Sequence, residues 1–226
     1  MTAPNVEYEK RAAAEAAADL VEDGSTVGLG TGSTVDHLLN ALARRRLRLR
    51  CVATSPATEQ AARGLGIPVE SFDRLERLDI AIDSADQIDP AGWLVKGGGG
   101  AHTREKIVAG AAERFVVIAS SDKLVEALSP PVPLELLRYG AAATLRRLEH
   151  VVLRDAPPSP DGGLIADYHG EISDAAALAA RLEATAGVVD HGLFPPGLVS
   201  EILIARGSHV ERIVPPAWRR TKPGVN

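Results

Sequence analysis

Cysteine is all but missing from this chain. Cys51 is the only one, which excludes an internal disulfide and a cysteine-based metal site. No apolar run approaches membrane-spanning length, and the charged, alanine-rich stretch from Met1 to Asp23 does not read as a signal peptide. These absences predict a soluble cytoplasmic protein. Positive charge is also short: 25 Lys and Arg against 30 Asp and Glu leave a net charge of −5, which argues against a nucleic-acid surface over the whole molecule. The one basic cluster, Arg44 to Arg50, closes a helical pattern, where cations complement the helix dipole. The six histidines (His37, His102, His150, His169, His191 and His209) show no metal-binding spacing. No G-x-S-x-G elbow is present for a serine nucleophile.

What is present is a core and a rhythm. Apolar residues make up 45 % of 226 residues, enough for one large domain or two small ones. Val6 to Val21 reads as a helix with a small-residue face. Val27–Leu29, Cys51–Ala53, Leu78–Ile82 and Phe115–Ala119 read as strands, with helical patterns between them. That alternation predicts a doubly wound parallel α/β sheet, with ligands at the carboxyl ends of its strands. After Ser129-Pro130-Pro131-Val132-Pro133 the order becomes strand (Leu134–Leu137), helix (Tyr139–Leu148), strand (Val151–Arg154), strand (Leu164–Tyr168), helix (Asp174–Ala184), strand (Val188–Phe194). This is the βαββαβ order of a ferredoxin-like α+β unit. Glu201–Ala205 and Val210–Val214 then read as final strands rejoining the first sheet. The expected division is a Rossmann-like domain of residues 1–129 plus 200–226, with an inserted ferredoxin-like domain of residues 130–199.

Four stretches could carry chemistry. Lys96 precedes Gly97, Gly98, Gly99 and Gly100, and Glu105 follows inside a helix beginning near Thr103. Four glycines are costly to order, but their backbone N–H groups can approach a ligand closely. With Glu105 as base, and Lys96 or the loop amides on a developing oxyanion, the stretch suits proton abstraction next to a carbonyl. The dipole of the helix would favour the ionised form of Glu105. A flexible linker is the plainer alternative. Thr31-Gly32-Ser33-Thr34 follows a strand and opens a helix, a ready anion site. It matches neither the dinucleotide fingerprint nor the P-loop, and helix capping by Ser or Thr is its alternative. Asp83 and Asp86 end the strand Leu78–Ile82, where an ordinary polar turn or a calcium loop competes. Lys123 follows another strand and could reach a phosphate, or sit on the surface as an ordinary lysine. His102 is a candidate neighbour of the substrate.

Taken in order, these motifs resemble one family, the type A ribose-5-phosphate isomerases. The likeness rests on Gly28 to Thr34, Leu65 to Val69, Asp79 to Asp89, Lys96 to Lys106 and Gly187 to Phe194, and covers nearly the whole chain. It implies cofactor-independent interconversion of D-ribose 5-phosphate and D-ribulose 5-phosphate, with no metal, in a homodimer or homotetramer. It further implies that Glu105 moves the proton through a cis-enediolate. Asp83, Asp86 and Lys96 would handle ring opening and oxygen protons. Thr31, Gly32, Ser33, Thr34 and Lys123 would hold the phosphate, with Lys10 as an extra cation and Gly97, Gly98 and Gly99 on the substrate.

Two residues depart from the family pattern. Ser84 and Gln87 stand where Gly and Glu are usual, so Ser84 adds a Cβ and Gln87 removes a negative charge. Competing functions are an isomerase of another small sugar phosphate, a sugar-phosphate sensor, and a CoA-transferase-like enzyme of the same broad fold.

Overall fold

A computed structural model describes residues 5–216; residues 1–4 and 217–226, assigned above to the first domain, lie outside them. In chain order the elements are α1 (Val6–Ala18), β1 (Thr26–Leu29), α2 (Ser33–Arg45), β2 (Arg50–Ala53), α3 (Pro56–Gly64), β3 (Leu78–Ser84), β4 (Gln87–Ile88) and β5 (Leu94–Val95). There follow α4 (His102–Ala111), β6 (Ala112–Ser120), β7 (Val132–Leu136), α5 (Ala141–Arg147) and β8 (Val151–Leu153). The chain continues with β9 (Leu164–Tyr168), α6 (Ala175–Glu183), β10 (Val188–His191), β11 (Leu193–Phe194), β12 (Glu201–Arg206) and β13 (His209–Ile213).

The main sheet has the order β13-β12-β6-β3-β1-β2. All its pairings are parallel except that of β13 with β12. Period-two alternation gives it two apolar faces. Val116 and Ile118 join the cluster of α1 and α2, while Phe115, Val117 and Ala119 join Val108 of α4 on the other side. The small face of α1 (Ala13, Ala14, Ala17 and Ala18) is fully buried in that first cluster. From β1 the chain turns one way to β2, then returns to place β3 on the other side of β1. The order therefore reverses between β1 and β3, and a doubly wound sheet opens its crevice at that point. The basic cluster is a helix end held in place: Arg46 caps α2 in the left-handed conformation. Around it Arg48 pairs with Asp23 and Arg50 with Glu70.

A second, antiparallel sheet has the order β10-β7-β9-β8. With α5 and α6 it forms the ferredoxin-like unit around Leu134, Leu136, Ala166, Leu178 and Leu182. One expected strand is divided. Val188–Phe194 breaks at Gly192, and β11 leaves to join β5 and β4 in a three-stranded sheet of order β11-β5-β4. The cause is local packing. The Gly192 N–H donates to the Pro133 carbonyl at 2.7 Å, and the Lys96 N–H donates to the Gly192 carbonyl at 2.8 Å. A Cβ at Gly192 would lie 2.1 Å from the Lys96 carbonyl oxygen.

Candidate active site

The carboxyl ends of β1 and β3, the glycine loop and the turn after β6 enclose a cleft of about 190 Å3. Lys10, Thr31, Gly32, Ser33, Thr34, Asp86, Lys96, Gly97, Gly98, Gly99, Glu105 and Lys123 all line it, joined by Ser84 and Ala85. Of the residues singled out from sequence, Asp83 sits one layer behind the wall.

At one end the helix α2 begins with Gly32 as its N-cap, at a φ of 123°, and no side chain caps it. The capping alternative for Ser33 and Thr34 therefore does not hold, and first-turn N–H groups remain for an anion. The Thr31 hydroxyl is set from below by Thr54 Oγ1 at 2.8 Å and Thr58 Oγ1 at 3.4 Å. Lys10 and Lys123 bring positive charge to the same cleft. Lys10 rests on Glu7 at 2.6 Å and Lys123 near Asp122 at 3.5 Å, pairs exposed enough to be exchanged for another anion at little cost. Their mounts are linked through buried Glu9. Its carboxylate accepts from the Ser121 N–H at 2.9 Å, the Ser121 hydroxyl at 2.7 Å and the Gly207 N–H at 2.8 Å.

At the other end lies a buried triad. The Lys96 ammonium is 2.9 Å from Asp83 Oδ2 and 3.0 Å from Glu105 Oε2, and it also donates to the Ser84 carbonyl. Asp83 Oδ1 accepts from the Thr31 N–H at 3.1 Å and the Ser84 N–H at 2.7 Å. Burial would strip the Lys96 proton, but the two carboxylates overcome it and hold the ammonium above its usual range. Burial pushes both carboxyls up. For Glu105 the charge of Asp83 adds to burial against the pull of Lys96, and its carboxyl rises to about 8. Asp83 has two backbone donors, which favour it as the ionised partner within this coupled group. The helix-dipole expectation for Glu105 is thus overturned: a helix end supplies ~1 kcal/mol, less than the desolvation of a fully buried carboxylate.

Gly30 makes this packing possible. A Cβ there would stand 2.0 Å from Asp83 Cγ, so Gly30→Ala must push the carboxylate off Lys96. We expect a loss of about 2 kcal/mol or more in urea unfolding and about a hundredfold in turnover.

Other sequence expectations end differently. His102 is fully buried and does not line the cleft. Its Nδ1 lies 2.7 Å from where a Gly97 Cβ would be, and burial lowers its pKa to about 3. It is a neutral prop for the loop rather than a neighbour of the cleft. Ser84 is not in the left-handed region, which among non-glycine residues described holds Arg46 and His150, so glycine's freedom is not needed there. Its hydroxyl donates to the Thr31 carbonyl at 3.1 Å. Gln87 lies outside the cleft wall and clamps Ser129 instead: its amide donates to the Ser129 carbonyl at 2.8 Å and accepts from the Ser129 N–H at 2.8 Å. Two residues gain importance. Gly192 anchors Lys96, and the Phe194 ring centroid is 5.4 Å from the Lys96 ammonium and 5.1 Å from that of Lys106. Among the described residues, no three His, Cys, Asp or Glu side chains converge to hold a metal ion.

A larger cleft of about 660 Å3 lies beside α4, but its arginines are engaged, Arg104 with Asp161 and Arg63 with Glu59. Size therefore does not mark the site; the convergence of charged groups does.

Comparison with known proteins agrees with this geometry. The family model described as ribose 5-phosphate isomerase A (phosphoriboisomerase A) matches residues 50–209. Ribose-5-phosphate isomerase A of Caulobacter vibrioides (strain NA1000 / CB15N) is 45% identical over 223 residues, covering 92% of this chain and 98% of that one. The crystal structure of ribose 5-phosphate isomerase A from Neisseria gonorrhoeae has a TM-score of 0.89 and 31% identity, covering 94% of this chain and 98% of that one. A D-ribose-5-phosphate isomerase in complex with phospho-erythronic acid has a TM-score of 0.86 and 31% identity, covering 93% of this chain and 99% of that one. The chain belongs to the ribose 5-phosphate isomerase A family, a family of isomerases.

Proposed function

We propose that this isomerase interconverts D-ribose 5-phosphate and D-ribulose 5-phosphate through a cis-enediolate, in the non-oxidative pentose phosphate pathway. The observation that carries the proposal is the Asp83–Lys96–Glu105 triad opening on a cleft whose other end is built for an anion. The phosphate would lie on Thr31, Gly32, Ser33 and Thr34 between Lys10 and Lys123. That placement sets the distal carbons of the sugar near Glu105. A structural relative bound to phospho-erythronic acid, a phosphorylated sugar acid, supports a ligand of this class.

Chemistry starts with ring opening. Asp86, at the cleft wall, would take the anomeric hydroxyl proton and pass it to the ring oxygen as the bond from C1 to that oxygen breaks. The ionised Glu105 then removes the proton from C2. The electron pair forms the C1–C2 double bond, and the C1 carbonyl oxygen becomes the enediolate oxygen beside Lys96 and the loop N–H groups. The O2 proton passes to O1, and Glu105 returns its proton to C1, leaving the ketone at C2. A carboxyl raised by burial is a stronger base than an ordinary glutamate, which suits a weakly acidic C–H. Asp83 would keep Lys96 charged and aimed.

The wider proposal has residues 1–129 and 200–226 as the catalytic domain, 130–199 as the insert, and a homo-oligomer acting in the cytoplasm. Exposed Ile107, Leu137 and Tyr139 supply apolar surface for such an assembly. No helix among the described residues is long and apolar enough to cross a membrane.

Steady-state conversion of ribose 5-phosphate tests the assignment at both ends of the cleft. The wild type should turn the sugar over. Lys123→Met should raise KM about tenfold, the worth of one charge-assisted phosphate bond, with kcat nearly kept. A KM unchanged by Lys123→Met would remove the phosphate from that end.

A further inference from the structure

The glycine loop is gripped from the second sheet. Arg154, just past β8, donates from Nη1 to the Gly97 carbonyl at 3.2 Å and the Gly98 carbonyl at 3.0 Å. Its other nitrogens form a fork on Asp167 of β9, with Nε 2.8 Å from Oδ2 and Nη2 on Oδ1. On the far side of the loop the Gly98 N–H donates to Asp86 Oδ2 at 3.0 Å.

These contacts share peptide units. In a trans peptide the C=O and the following N–H point in opposite directions. The Gly97 carbonyl on Arg154 and the Gly98 N–H on Asp86 are two ends of one such plane. The next plane has its Gly98 carbonyl on Arg154, so its Gly99 N–H points away from the arginine, and Gly99 lines the cleft. Glycine offers little resistance to rotation of these planes. An outside group must therefore set their orientation, and Arg154 is placed to do so.

We infer, resting on the isomerase reading proposed above, that Arg154 is a positioning residue for the reaction. By holding two carbonyls of the glycine loop it aims the Gly98 amide at Asp86 and the Gly99 amide at the sugar oxygens, and Asp167 holds Arg154 in register. Lysine cannot substitute, because a single ammonium lacks the planar fork that serves a carboxylate and two carbonyls together.

The test uses the full chain with Arg154→Met, Arg154→Lys and Asp167→Asn. Arg138→Met is the control, losing an arginine-to-carbonyl bond to Gly162 elsewhere on the same domain. The readouts are kcat and KM for ribose 5-phosphate, the inhibition constant of inorganic phosphate, and hydrogen exchange of the Gly98 amide. Both Arg154 variants should lose kcat at least about tenfold while phosphate inhibition stays within about twofold, since the anion end of the cleft is untouched. Arg154→Lys should not rescue, Asp167→Asn should fall between, and Gly98 should exchange about tenfold faster. The control should behave as wild type.

Unchanged kcat and unchanged Gly98 exchange in the Arg154 variants would overturn the inference. So would a loss of kcat matched by an equal loss of phosphate affinity and a lowered melting temperature, which is the pattern of general damage. A wild type that does not convert the sugar would sink the isomerase reading by itself, and the Gly98 exchange would still decide the role of Arg154.

Discussion

Glu105→Gln is expected to lower turnover of ribose 5-phosphate by about a thousandfold, within the range that a positioned general base contributes. The amide keeps the volume of the carboxyl and removes its capacity to accept a proton from C2. Phosphate affinity should stay near wild type, because the groups placed on the anion lie at the other end of the cleft. Stability should move the opposite way from activity. Burial, with Asp83 adding to it, raises the Glu105 carboxyl from 4.5 to about 8, so the folded chain holds a proton that the unfolded chain releases. A group of this kind contributes stability that is fully present below the unfolded value and is lost as pH rises through the folded one. The amide has no proton to lose. Urea unfolding above pH 8 should therefore find Glu105→Gln more stable than wild type by about 1 kcal/mol or more, whereas the two should converge near pH 5. The wild-type kcat/KM profile should carry its acid limb well above the ordinary carboxylate range for the same reason.

Lys96→Met should have the largest effect on the fold and the site together. It leaves Asp83 and Glu105, both at most 4% exposed, with no cation between them. Removing one partner of a buried ionic group costs about 3–5 kcal/mol, because the remaining charges lose their neutralising field. Both carboxyls would respond by taking up protons. The deficit should be largest at alkaline pH and shrink as pH falls, the sign expected when folded-state carboxyl pKa values rise further. Turnover should drop by about a thousandfold or more, since the proposed enediolate oxygen loses its cation and the Glu105 carboxyl, already raised to about 8 with Lys96 in place, rises further and is ionised in a smaller fraction of the molecules. Denaturant melts at pH 6 and pH 9, run beside activity, separate these effects. An equal deficit from wild type at the two pH values would show that Lys96 does not neutralise the pair.

Much of this architecture is written locally. The helix–strand alternation gives the doubly wound sheet, and the βαββαβ order after Pro133 gives the second sheet with its order β10-β7-β9-β8. The cleft-lining residues sit at strand ends and a helix start, where turn chemistry leaves a mark: Gly32 before Ser33, Ser84 to Asp86 at the end of β3, Lys96 before its glycines. The parts not legible depend on distant partners. β4, β5 and β11 are two residues each, too short for a periodic signal, and the break at Gly192 is set by the Lys96 carbonyl far away in sequence. Arg154 looks like any polar residue after a strand until the fold brings Gly97 and Gly98 to it. His102 and Glu105 share one helix, yet one faces a packed interior and the other the cleft. The neutral amide of Gln87 bonds Ser129 and does not line the cleft, a placement that depends on a partner distant in sequence.

The central claim is that Glu105 is the base of a sugar-phosphate isomerisation needing no metal. It is tested most directly by following ribose 5-phosphate to ribulose 5-phosphate in chelator, with wild type and Glu105→Gln side by side. The account predicts steady conversion by the wild type and a loss of about a thousandfold in the variant. Turnover by Glu105→Gln within about tenfold of wild type would contradict it.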